Sequence, residues 1–164
     1  SFRKGLTRLI EWRKHQLLQL ARMMQDNGDA FAESLAKDLG KPRIEMYFSE
    51  IVSRSPAVRA HYGDSDNRRG SYNAVDWQKP WKPTVYKGAK GIILIIASPL
   101  KCELPSDLSL QPLLGAIAAG CCAGIKPSEL APHYAELLVD LLPKYLDSNN
   151  YRVMTGAVAE STKL

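Results

Sequence analysis

Long hydrophobic runs, paired cysteines and glycosylation sequons are all missing from this sequence. No apolar stretch approaches the roughly 20 residues that a membrane helix needs; the β-branched run GIILIIA, Gly91–Ala97, has seven. A transmembrane helix is therefore not expected. The opening residues, SFRKGLTRLIEW, hold no apolar signal region, and no Asn-x-Ser/Thr occurs, so a cytoplasmic location is the expectation. Three cysteines are present, two of them adjacent as Cys121-Cys122, and no CxxC appears. That excludes a disulfide framework and leaves reduced thiols in or near a core. Acidic residues are scarce in the middle, where residues 41–91 carry ten Lys/Arg against five Asp/Glu. A basic middle can attract phosphate or acidic surfaces, so nucleic acid is one partner class that charge leaves open.

What is present suits one globular domain. The chain has 164 residues, 45% hydrophobic and 24% charged, enough to bury a core. In the first helix Leu17, Leu20, Ala21 and Met24 recur at helical spacing, with Arg13, Lys14 and Gln25 read as lying off that stripe. Asn27-Gly28-Asp29 breaks the pattern, and Asp29 is expected to cap a second helix carrying Phe31, Leu35 and Leu39 up to Gly40. Pro42 opens a third, with Ile44, Tyr47, Phe48, Ile51 and Val52 on one face. These make a helical layer over 1–62, followed by a polar surface loop over 63–82.

From 83 to 164 the pattern changes. Pro83–Lys87 reads as an edge strand, and Gly91–Ala97 as a parallel strand covered on both faces. Asp107–Ala119 reads as a helix, Cys121–Ile125 as a strand, a helix follows from Ala131-Pro132, and Tyr151–Met154 is a further strand. The expected class is α/β: N-terminal helices plus a truncated Rossmann-like parallel sheet of about three strands. The stretch CCAGIKPSEL ends its strand on Lys126, at the carboxyl edge where open α/β sheets bind ligands.

Four collinear blocks carry a resemblance. WRKHQLLQLARMMQDNGDAFAESLAKDLGKP, WKPTVYKGAKGIILII, LSLQPLLGAIAAGCCAGIKPSELAP and YRVMTGAVAESTKL resemble the N-terminal portion of the aldehyde dehydrogenase superfamily, and within it the class 3-like, fatty-aldehyde branch as found in fungi. The resemblance implies that Lys126 and Glu129 hydrogen-bond the ribose hydroxyls in the adenosine half of NAD(P). The plain alternative is that both are solvated residues of a strand-to-helix turn.

Two segments depart from the family pattern. After its first strand the family has Pro-Trp-Asn-Tyr/Phe-Pro, whose asparagine helps hold an oxyanion. Here ASPLKCELPSDLSLQP keeps Pro99 and puts Leu100 and Lys101 where Trp and Asn belong. From Ser53 to Asn73 a long Glu/Lys/Leu-rich helix is replaced by SRSPAVRAHYGDSDNRRGSYN. The resemblance implies that the family's nucleophilic cysteine, glutamate base and glycine-rich turn belong to a part of the family pattern that these 164 residues are not expected to cover. Cys102, beside Lys101, has no base assignable to it from sequence, so the catalytic residues are unknown at this point.

Three functions follow as expectations. The first is a chain without dehydrogenase activity of its own, with NAD(P) binding weak or lost, forming a homo-oligomer through an exposed sheet edge. The second is a fragment of a full-length NAD(P)-dependent aldehyde dehydrogenase, whose activity returns with the missing half. The third lies in the divergent 53–82 segment. His61, Asp64 and Asp66 could hold a divalent metal, and Arg68, Arg69, Lys79 and Lys82 could grip phosphate beside Tyr72, Trp77 and Trp81, the parts of a nuclease or nucleic-acid binder. The same spacing also reads as an ordinary polar loop. His15 and His133 read as surface or interhelix residues.

Overall fold

The computed structural model describes residues 5–40, 42–46, 69–71, 75–82, 84–86, 88–97 and 105–156. After a 3₁₀ turn at Leu6–Arg8 come α1 (Ile10–Asp26) and α2 (Gly28–Leu39), separated by Asn27 alone, and the short α3 (Arg43–Met46). Asn27, not Asp29, occupies the junction: its side-chain amide donates to the Met23 carbonyl at 2.9 Å and to the Tyr145 hydroxyl at 3.1 Å. Asp29 sits inside the first turn of α2, where a carboxylate suits the positive end of the helix, and accepts from Arg43 at 2.6 Å. Gly40 ends α2 with φ 68°, the left-handed conformation, and donates its N–H to the Ala36 carbonyl. Tyr47, Phe48, Ile51 and Val52 of the expected third helix lie outside the described residues.

The stretch expected to be loop over 63–82 contains structure. Arg69–Ser71 forms β1, which pairs antiparallel with β2 (Thr84–Tyr86), and Asp76–Trp81 is a 3₁₀ helix. Three-residue strands are too short to show alternation, so only the pairing of Arg69 opposite Tyr86 and Ser71 opposite Thr84 defines them.

The second sheet is parallel, in the order β3 (Ile92–Ile96), β4 (Cys122–Lys126), β5 (Tyr151–Val153). Between the strands run α4 (Pro105–Ala119) and α5 (Pro132–Tyr145). Strand order follows chain order, so right-handed crossovers carry both helices to one face. Burial agrees. Ile95, Ile125 and Tyr151 join Leu17, Leu113 and Leu138 in one core cluster, while Ile92 and Ile96 are 78% and 61% exposed. The expectation of a strand covered on both faces is therefore corrected: an apolar run identifies a buried strand but cannot say on how many sides. Among the described residues, nothing covers the other face of β3.

Two buried charges tie the helical layer to the sheet helices. Arg13, expected off the apolar stripe, is only 2% exposed, and its guanidinium donates to the Ala118 carbonyl in the last turn of α4. A cation there meets the negative end of the helix dipole. Asp38 of α2, its side chain 1% exposed, does the opposite for α5. Its oxygens accept from the backbone N–H of His133 at 3.2 Å and of Tyr134 at 2.9 Å, and from the His133 ring at 2.6 Å. The residue at the N-cap position of α5, Ala131, has no side-chain oxygen to offer, so a residue almost a hundred positions away supplies the cap. His133 thus bridges two helices, as its sequence surroundings suggest.

Candidate functional site

Lys126 is the last residue of β4, and Glu129 follows in the turn that leads to α5. Pro127 and Ser128 between them are buried, and Ser128 Oγ accepts from the Leu130 N–H at 3.2 Å. That turn sends the chain back over the strand tips. Lys126 Nζ donates to Glu129 Oε1 at 3.2 Å. The ammonium is largely sheltered, its side chain 13% exposed, while the Glu129 side chain is 48% exposed. Beside them opens a cleft of about 670 Å³ between the β4–α5 turn, the flank of α5 and the segment after β5. Ser128, Glu129, Glu136, Asp140, Thr155 and Gly156 contribute to its walls. The cleft thus lies at the carboxyl edge of a parallel sheet and offers carboxylate acceptors, with the Lys126 ammonium beside it held by Glu129 rather than on its lining, a set suited to neutral hydroxyls.

The sequence pattern described as the aldehyde dehydrogenase family matches residues 7–163. The chain belongs to the aldehyde dehydrogenase family. It is 34% identical to aldehyde dehydrogenase family 3 member I1, chloroplastic, of Arabidopsis thaliana, over all of this chain and 30% of that protein. It is 31% identical to the dimeric NADP-preferring aldehyde dehydrogenase of Rattus norvegicus, again over its whole length and 36% of the relative's. Among solved structures, the substrate-bound state of Staphylococcus aureus AldH superposes with a TM-score of 0.89 at 32% identity, covering 99% of this chain and 35% of that one. The chain thus spans about a third of the length of these relatives.

The other expected sites fare differently. His61, Asp64, Asp66 and Arg68 lie outside the described residues, as do Tyr72, Lys101 and Cys102. Arg69 is in β1. Lys79 and Lys82 are at one 3₁₀ turn, where Lys79 pairs with Asp76 in the same turn. Trp77 and Trp81 are exposed and meet edge to face, ring centres 5.2 Å apart. Among the described residues no three His, Cys, Asp or Glu side chains come together as a metal site.

Cys121 and Cys122 are buried. Cys122 Sγ donates to Asn150 Oδ1 at 3.2 Å, and the Tyr151 hydroxyl donates to the Cys121 carbonyl at 3.4 Å. Burial holds the Tyr151 hydroxyl well above the usual tyrosine range, with the neighbouring cysteines adding to the effect. These thiols are core residues of the dehydrogenase fold, as the absence of a framework implies. Sequence reasoning missed Glu136 and Asp140 on the cleft wall. Their signal was present as a carboxylate pair at i, i+4 in a helix that follows a ligand-binding strand edge.

Proposed function

We propose that this chain supplies the adenosine-binding part of an NAD(P)-dependent aldehyde dehydrogenase, with the thiol that attacks the aldehyde supplied by a segment outside residues 1–164. The observation that carries this reading is the Lys126–Glu129 pair at the tip of β4, opening on the cleft. In the ligand-free arrangement the two side chains satisfy one another. A ribose diol entering the cleft offers two hydroxyls that can each donate to Glu129 and accept from Lys126 Nζ, so the pair exchanges one charge-assisted bond for several. The bound nicotinamide cofactor supplies the hydride acceptor; these residues hold its other end. The relative from rat is named for preferring NADP, so family membership leaves the choice between the two cofactors open.

The test uses the natural protein at its full length. Lys126→Ala and Glu129→Ala are expected to raise KM for the cofactor roughly tenfold or more while changing kcat much less, because hydrogen bonds to charged groups are lost from binding alone. An unchanged cofactor KM in both variants would remove these residues from the site.

The face of β3 that no described residue covers favours a second reading for residues 1–164 produced alone, namely self-association without catalysis. Ile92, Leu94 and Ile96 present a contiguous apolar row to solvent, which a second chain can cover. The sequence points to the sheet edge for such contact; the exposed apolar surface is on the face. Light scattering on this polypeptide at tens of micromolar is expected to give a dimer or larger species, with Leu94→Lys and Ile96→Lys shifting it towards monomer. A monomer before any substitution rules the association out.

A further inference from the structure

We propose that Asp38, a buried residue of the helical layer, is a positioning residue for the nucleotide cleft: by pinning the first turn of α5 it holds Glu129 in place against Lys126. This rests on the cleft being the adenosine site proposed above, and adds to it a residue that does not line it.

The turn from Pro127 to Ala131 carries Glu129 and is tied down at both ends. Its start is fixed by the sheet, where the Lys126 carbonyl accepts from the Ala97 N–H at 2.9 Å. Its end is fixed by Asp38, whose two oxygens accept from the N–H groups of His133 and Tyr134 in the first turn of α5. Bonds inside the turn, from the N–H groups of Leu130 and Ala131 to Ser128, brace its shape. Pro127, Ser128, Glu129 and Pro132 all line the cleft, whereas Asp38 is not among the described residues that do. Tyr134 makes the clamp a three-helix junction. Its hydroxyl shares a hydrogen bond of 2.6 Å with Ser109 of α4, and its ring meets Phe31 of α2. With neighbours packed on each side, the start of α5 has one place to sit. A shift on the order of 0.5 Å there is enough to spoil the contacts that Glu129 makes, because hydrogen bonds weaken steeply away from their preferred geometry.

Arg13 supplies the comparison. It is likewise buried and likewise holds a helix end, but through Ala118 in the last turn of α4. That helix returns the chain from the end of β3 to the start of β4, so Ala118 lies towards the amino edge of the sheet. The cleft is at the opposite edge, and neither Arg13 nor Ala118 lines it.

Calorimetric titration with AMP tests this in the natural full-length protein and its D38A, D38N and R13M variants, each held below the onset of unfolding. D38A is expected to weaken AMP binding roughly tenfold and D38N about threefold, while R13M shifts it less than about twofold despite a comparable loss of stability. In the activity assay the D38A effect is expected in KM for the cofactor, with kcat at saturation changed much less. Equal weakening by D38A and R13M means general softening and overturns the positioning role, as does an unchanged affinity in D38A. Where D38A does not fold, D38N binding AMP as well as R13M does overturns it instead. K126A and E129A separate the two claims. An AMP affinity that they leave unmoved overturns the nucleotide reading of the cleft, and the role of Asp38 with it. Affinity lost in them but kept in D38A overturns the role of Asp38 alone.

Discussion

On the function proposed above, residues 1–164 produced as a separate polypeptide are expected to yield no NADH from NAD and a long-chain aldehyde, and a natural protein that joins them to the thiol-bearing segment is expected to yield it at least about 1,000-fold faster, the scale on which loss of a nucleophile reads in enzymes. Aldehyde oxidation starts with a thiolate adding to the carbonyl, and it needs donors placed for the oxyanion that results. Two of the chain's three thiols are in the core: Cys121 and Cys122 are buried, and the thiol of Cys122 is tied to Asn150. Thiols buried in this way are out of reach of substrate. Leu100 and Lys101 stand where the family resemblance puts Trp and the oxyanion-binding Asn, so the amide of that pattern is missing from the sequence. The assay is the absorbance of NADH at equal molar amounts of the two proteins. NADH formed in proportion to the isolated chain, and abolished by Cys102→Ser, would sink the prediction.

Asp38→Ala and Arg13→Met are each expected to lower stability by about 3 kcal/mol, since each removes a buried charged side chain that partners backbone groups at the end of a neighbouring helix. Without Asp38 the N–H groups of His133 and Tyr134 lose their acceptor at the start of α5, and α2 loses its polar link to that helix. Asp38→Asn, which keeps an acceptor but not the charge, is expected to recover part of the loss. Arg13→Met keeps much of the buried bulk but leaves the Ala118 carbonyl without its cation at the end of α4. An exposed pair on the same layer supplies the contrast. Lys37 and Glu33, 2.8 Å apart on α2 and mostly in solvent, should give less than about 0.5 kcal/mol when Lys37 becomes alanine. Urea unfolding of the full-length protein measures all of these, provided the transition is two-state. A buried clamp that costs no more than the surface pair would show that the caps hold nothing together. Because α5 forms one wall of the cleft, Asp38→Ala should also weaken cofactor binding.

Much of the fold is legible in the amino-acid order alone. The β-branched run at 92–96, the Ala-rich helix before Gly120 and the strand that ends on Lys126 fall within a residue or two of their expected bounds, because each is long and strongly patterned. The β1–β2 hairpin is half legible. Three residues carry no period, and Arg69–Ser71 is recognisable only through its partner. Arg13 and Asp38 show a different failure. Arg13 precedes Leu17 and Leu20 by four and seven positions, and Asp38 follows Leu35 and Phe31 by three and seven, so both fall on the buried stripe by spacing. Their charge alone would send them to solvent. Spacing outweighs polarity when a neighbouring helix end offers a dipole of the opposite sign.

By itself the sequence determined the order of helices and strands, the family, and the delivery of Lys126 and Glu129 to a strand tip, because local periodicity and chain order suffice for all three. Only the tertiary structure decided that one face of β3 is bare among the described residues, that two charges cap helices distant in sequence, and that Glu136 and Asp140 share a cleft with Glu129. The reason is physical. Covering, capping and enclosure arise between elements far apart along the chain, and the spacing of residues within one element does not encode which other element lies against it.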